Sequence, residues 1–189
     1  QTFVKFGVEP ISAYKRFQRN KIVEIDGETL IGDTALTRML YERQLCSCYN
    51  KNKIDAFADL LESTDDRLIV FYNFNKELDT LIKAVGSRPY SVVNGSIKDL
   101  TAYENDDNSV TLVNYAAGAL GLNLQKANKM IFYSPPLSCE QWMQSKKRIH
   151  RIKQDRPCFY YILETKDSVE CKIKDALDKG VDFTMKLFE

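Results

Sequence analysis

Runs rich in β-branched and aromatic residues recur near 67–73, 90–94, 109–113, 129–133 and 158–163, and stretches with helical apolar spacing near 75–85, 97–104 and 138–150 lie between them. A strand buries every second residue and a helix every third or fourth. Regular exchange of the two periods therefore builds strand–helix–strand units whose strands run parallel beneath helices on both faces. The expected fold is α/β, an open parallel sheet. Ahead of it, Lys21-Ile-Val-Glu-Ile-Asp26-Gly27-Glu-Thr-Leu-Ile31 has two β-rich arms about Asp-Gly and predicts a hairpin. Apolar spacing predicts core helices over residues 34–47, through Leu36, Met39, Leu40 and Leu45, and over 52–62, through Ile54, Phe57, Leu60 and Leu61. Phe159-Tyr160-Tyr161-Ile-Leu163 reads as a buried strand rather than a base-stacking surface. Residues 166–186 are helical in pattern, with a break at Gly180, and are expected to pack back on the domain.

Composition bounds the function. A chain of 189 residues, 44% hydrophobic and 28% charged, suffices for one sizeable core. The net charge of +1 argues against a surface that is basic throughout, so contact with nucleic acid must come from a local patch. No apolar run approaches the ~20 residues of a membrane span, and no signal-peptide pattern is present. Cys46, Cys48, Cys139, Cys158 and Cys171 lack paired Cys-x-x-Cys spacing and the single histidine lies far from Cys46 and Cys48, so reduced intracellular thiols and no metal site are expected. A start at Gln1 rather than methionine reads as a fragment.

The chemistry concentrates in Gln144-Ser-Lys-Lys-Arg148-Ile-His150-Arg151-Ile-Lys-Gln154. If the segment is helical, Gln144, Arg148 and Arg151, spaced four and three apart, share one stripe. Guanidinium groups offer planar forks of donors that match phosphate oxygens, so the stripe suggests a phosphate clamp. Six Lys or Arg fall between Lys146 and Arg156, however, and such a run equally describes a solvated basic helix end. Upstream, Ser109-Val-Thr-Leu-Val113 reads as a strand that exits into Asn114-Tyr-Ala-Ala-Gly118-Ala-Leu-Gly121-Leu-Asn123-Leu124. Small residues at the carboxyl end of a strand allow close backbone approach to a phosphate, or merely a tight turn.

In order, these segments resemble the second motor lobe of superfamily 2 helicase-like ATPases, and within it the Swi/Snf-related DNA translocases. Members carry a pattern close to Ala-Gly-Gly-x-Gly-Leu-Asn-Leu (motif V), then Ala-Asp-x-Val-Ile, then Gln-x-x-Gly-Arg-x-His-Arg-Ile-Gly-Gln (motif VI). Here these read Ala117-Gly-Ala-Leu-Gly-Leu-Asn-Leu124, Ala127-Asn-Lys-Met-Ile131 and Gln144 to Gln154. Arg67-Leu-Ile-Val-Phe-Tyr-Asn-Phe74 is similar to the motif IV strand, Val93-Asn-Gly95-Ser96 to Leu-Asp-Gly-Ser, and Arg43-Gln-Leu-Cys46 to the helix that opens the lobe. The likeness covers roughly residues 35 to 165. Lys147 and Lys153 replace the two glycines of motif VI, Ala119 the second glycine of motif V, and Asn128 the usual aspartate. The two lysines add either phosphate affinity or solubility. The absence of long insertions looks more like the short members of bacteria and bacteriophages.

The resemblance implies a RecA-like fold with residues 1–33 as a linker and hairpin from a first lobe, 34–165 as the lobe itself and 166–189 as a helical extension. It implies ATP with Mg2+, held mainly by an N-terminal ATPase lobe of the same polypeptide. Arg148 and Arg151 then stabilise charge on the γ-phosphate, Gln144 orients a phosphate or water, and Gly121 and Asn123 line the nucleotide side of motif V. Asn73, Asn75, Asn114 and Gly118 face the backbone of DNA, probed without sequence specificity and as a duplex, and Asn75 reads equally as a helix cap. The implied setting is the cytoplasm of a bacterial or host cell. No Gly-x-x-x-x-Gly-Lys-Ser/Thr and no Asp-Glu-x-His occurs, so this segment alone is expected to lack ATPase activity. Two other readings remain: a motor-less nucleic-acid-binding or adaptor domain derived from such a lobe, and an unrelated α/β enzyme whose glycine turn binds a mononucleotide.

Overall fold

The computed structural model covers residues 1–189, of which Gly118 and Ala119 lie outside the described residues. Along the chain run β1 (Thr2–Val8), α1 (Ser12–Asn20), β2 (Ile22–Ile25), β3 (Glu28–Ile31), α2 (Ala35–Ser47) and α3 (Lys51–Glu62). There follow β4 (Leu68–Tyr72), α4 (Asn75–Val85), β5 (Tyr90–Val93), β6 (Lys98–Asp99), α5 (Thr101–Asn105) and β7 (Val110–Asn114). A 3-10 turn over Tyr115–Leu120 leads to β8 (Lys129–Phe132), α6 (Cys139–Lys146), β9 (Phe159–Thr165), α7 (Val169–Asp178) and α8 (Met185–Phe188).

The main sheet has the order β1-β9-β8-β4-β7-β5-β6, parallel throughout except for the β5–β6 pair. Its spine is β4, in which all five residues are buried, as a strand covered on both faces must be. The pleat divides them. Ile69 and Phe71 join the core formed with Met39 and Leu45 of α2, Trp142 of α6 and Ile173 of α7. Leu68, Val70 and Tyr72 face Phe57 and Leu61 of α3 and Leu81 and Val85 of α4. Each large apolar side chain so enclosed contributes roughly 1.5–3 kcal/mol of burial. The five expected strands and the two-faced covering are therefore present.

The hairpin forms where Asp-Gly predicts it, β2 pairing antiparallel with β3. Asp26 at φ 52 and Gly27 at φ 77 are both left-handed, the requirement of a two-residue type I′ turn. At α2 the Thr34 side chain accepts from Thr37 N and the Thr37 side chain from Thr34 N, a reciprocal cap that sets the start of that helix.

Three features depart from expectation. Thr2–Val8, read as leading into the lobe, is a strand of the main sheet, in register with β9 from Thr2 opposite Phe159 to Val8 opposite Thr165. The 97–104 helix is instead the short β6 followed by α5. The helix expected to residue 150 ends at Lys146, and that difference reshapes the site.

Candidate functional site

Ser138 caps α6 by accepting from Gln141 N at 3.2 Å. At the other end, Lys147 N donates to Gln144 O and Arg148 N to Ser145 O, tighter bonds that bring the chain off the helix axis. Tertiary partners make this exit favourable. Tyr160 OH on β9 donates to Lys146 O at 2.8 Å, and Leu124 N donates to Arg148 O at 3.0 Å. Farther on, Gln154 Nε2 donates to the carbonyls of Gln125, Ala127 and Ile149 at 3.1, 2.8 and 3.1 Å. The motif VI segment is thus an irregular loop stapled to the segment after the glycine turn. The single helical stripe expected of Gln144, Arg148 and Arg151 does not form.

The glycine turn is built to match. Asn114 ends β7 and its Oδ1 accepts from Ala116 N at 2.9 Å, starting the 3-10 turn, which Gly121 closes in the left-handed region at φ 65. Leu122 and Leu124 then point into the core while Gly121 and Asn123 face outward. Arg148 is 8% exposed and its Nη1 donates to Leu122 O at 3.3 Å. The two motifs therefore hold each other in both directions, guanidinium to carbonyl and amide to carbonyl.

Between them opens a cleft of about 710 Å³, with Asn123 and Gln125 on one wall and Lys147, His150, Arg151 and Lys153 on the other. Among the described residues, its lining holds no carboxylate. Desolvation, and after it the neighbouring Arg151 charge, pulls the Arg148 guanidinium below its ordinary pKa, although arginine stays protonated at working pH. The site is a set of donors and cations facing solvent, suited to oxygen-rich anions. Of the nucleotide-side residues expected from sequence, Asn123 and Arg151 line this cleft, whereas Arg148 lies outside its lining, buried against the Leu122 carbonyl. Gln144 does not line it. Its Nε2 donates to Glu140 Oε1 at 3.2 Å one turn back on α6. Gly121 sits at the turn beside it.

The expected nucleic-acid residues lie at the carboxyl ends of β4 and β7. Asn73 donates from Nδ2 to Ser134 Oγ at 2.8 Å and to Pro135 O at 2.9 Å, so both its amide hydrogens are engaged inside the lobe. Asn114 Nδ2 donates to Asn73 O at 3.0 Å and ties the two loops together. Asn75 is exposed, and it is the first residue of α4 rather than its cap. Gly118 lies outside the described residues. Beneath this loop, buried Glu77 accepts from Phe74 N at 3.1 Å and from Ser134 Oγ at 2.7 Å. Burial pushes its carboxyl up to about 7, against the opposing pull of the Ser134 hydrogen bond and of Lys53.

Of the lining, His150 was given no role by the sequence, whereas Lys147 and Lys153 were read as adding either phosphate affinity or solubility. The available signal was two lysines where the resemblance has glycines. No helix among the described residues is long and apolar enough to cross a membrane.

The model of the helicase conserved C-terminal domain matches residues 52–153, more than half of the chain. The ATP-dependent DNA helicase DDM1 of Arabidopsis thaliana is 29% identical over 147 residues, 77% of this chain and 19% of that protein. The ATP-dependent helicase fft1 of Schizosaccharomyces pombe is 28% identical over 135 residues, 65% of this chain and 14% of that protein. The chain thus spans less than a fifth of the length of these relatives. Its fold is similar to the C-terminal part of the Fun30 ATPase domain, with a TM-score of 0.75 at 16% identity, over 99% of this chain and 94% of that one. The chain belongs to the helicase conserved C-terminal domain family, and its mostly parallel, two-faced sheet is the RecA-like lobe of that family.

Proposed function

We propose that this lobe is the second half of an ATP-dependent DNA helicase or translocase and that it presents Arg148 and Arg151 to a triphosphate held by an N-terminal lobe of the same polypeptide. The observation that carries the reading is the cationic cleft, which Arg151 and Asn123 line, with Arg148 bonded to the carbonyl of Leu122 next to Asn123. Its donor set fits the phosphate chain of ATP. Carboxylates that would hold Mg2+ form no part of that set and are assigned to the first lobe.

Phosphoryl transfer spreads negative charge over equatorial oxygens, and a positioned arginine there is worth about 10³–10⁵ in rate. Arg151, exposed and lining the cleft, takes that place, while Arg148 holds the Leu122 carbonyl and adds its charge. Gln144 orients a phosphate or water from the end of α6, and Gly121 keeps the turn open beside Asn123. Nucleic acid runs past Asn75, with Asn73 and Asn114 shaping the loop beneath it and Gly118 assigned to the same face. The contacts are to duplex backbone and carry no sequence readout. The insertion-free length is our reason for reading the parent as a short bacterial or bacteriophage protein working in the cytoplasm.

The test is DNA-stimulated ATP hydrolysis by the full-length polypeptide. Arg151→Ala is expected to lower kcat by about 10³ while equilibrium ATP binding persists. Full turnover in that variant, or duplex binding by a wild-type protein that never hydrolyses ATP, overturns the motor reading, and the second result establishes the adaptor reading instead. The 189-residue chain by itself is expected to show negligible turnover and weak, salt-sensitive DNA binding.

A further inference from the structure

The backbone at Lys153 has φ 80, in the left-handed region where a lysine side chain crowds its own main chain and a glycine does not. The residue is exposed and its side chain lines the cationic cleft together with Lys147, which follows the last turn of α6. Local stability thus favours glycine at 153. Lysine there gains nothing from burial, and no ion pair to a carboxylate involves it among the described residues. What it adds is one more cationic residue on the lining of a space whose described residues carry no negative charge.

We infer that Lys153, assisted by Lys147, is an additional anion-binding residue of this chain that grips the phosphate chain of a nucleoside triphosphate beside Arg151. This rests on the cleft being the nucleotide face. A lysine is a mobile point charge rather than a planar fork, so it follows phosphate oxygens as lobes open and close instead of fixing their geometry. It therefore contributes to affinity and is a binding residue, not a participant at the reacting atoms.

The probe is inorganic tripolyphosphate, titrated at low salt into the intact chain and followed by NMR chemical shifts. Lys153→Gly is expected to weaken binding by about two- to fivefold, the range of one exposed charge contact, while the melting temperature holds or rises because the strained conformation is relieved. Lys153→Gln separates the two effects, losing affinity with no gain in stability, and Lys153→Arg restores affinity. Unchanged tripolyphosphate affinity in Lys153→Gly overturns the inference, even if duplex DNA binding falls, because the lysine then serves the nucleic acid or the solvent. If Arg151→Ala also leaves tripolyphosphate affinity unchanged, the nucleotide reading of the cleft fails with it. Loss in Arg151→Ala alone removes only the role of Lys153.

Discussion

Two groups of charged side chains sit on opposite terms with water in this lobe. Lys53 is 0% exposed, and its ammonium donates to both oxygens of Glu170 at 2.7 Å and to Tyr133 O at 2.8 Å. Glu170 Oε1 in turn accepts from Thr165 N at 2.9 Å. Every charge in that network has its partners because a buried ion without them costs several kcal/mol. Around the cleft, Lys147, Arg151 and Lys153 are exposed and face one another's charge with no carboxylate in the described lining. Water makes that tolerable, since repulsion in high dielectric is weak. The first arrangement joins α3, β9 and α7 with the residue that follows β8. The second leaves binding capacity open to an anion.

Substitutions that exchange these behaviours test the contrast. The largest effect is on rate: Arg151→Ala in the full-length polypeptide lowers ATP turnover by about 10³. In the buried network, Lys53→Met strands Glu170 and is expected to cost about 3–5 kcal/mol, measured by urea unfolding of the chain. A loss comparable to that of a surface lysine would show that the buried pair is not what the structure presents.

Glu77 gives a pH signature of intermediate size. Its folded pKa of about 7 lies above the ordinary 4.5, so between these values the folded lobe keeps a proton that the unfolded chain has released. Folding stability therefore falls as pH rises from about 4.5 to 7 and levels off above, by roughly 3 kcal/mol at most. Glu77→Gln is expected to remove that slope from a series of denaturation curves. An unaltered slope would assign it to another group. The smallest effect sharpens the comparison from its other side: Arg151→Ala should leave stability within about ±0.5 kcal/mol, as for an exposed residue with no structural duty. A large drop in melting temperature would place Arg151 among the structural charges.

Much of this was legible along the chain. The apolar runs at Leu68–Tyr72, Val110–Asn114 and Phe159–Thr165 had no other use than strands covered on both sides. Asp26-Gly27 announced its turn because a left-handed pair is a local demand of the backbone. The family could be recognised because motifs V and VI keep their residue order. The strand Thr2–Val8 was missed even though Val4, Phe6 and Val8 alternate, since an edge strand is largely exposed and gains its identity from the neighbour it joins.

The sequence by itself therefore determined the five central strands and most of the helices between them, where the hairpin turns and which residues are chemically able to bind phosphate, because these follow from side-chain period, turn geometry and charge. Tertiary structure alone decided how those residues are aimed. Periodicity extends α6 to about residue 150, yet Tyr160, Leu124 and Gln154 offer hydrogen bonds that end it at Lys146 and pull the chain aside. That exit sends Arg148 against the Leu122 carbonyl and leaves Arg151 and Lys153 at the cleft, instead of stacking Gln144 with the arginines on one face. The C-terminal end of α6 belongs to this second class because it depends on partners from distant residues, which no local pattern contains.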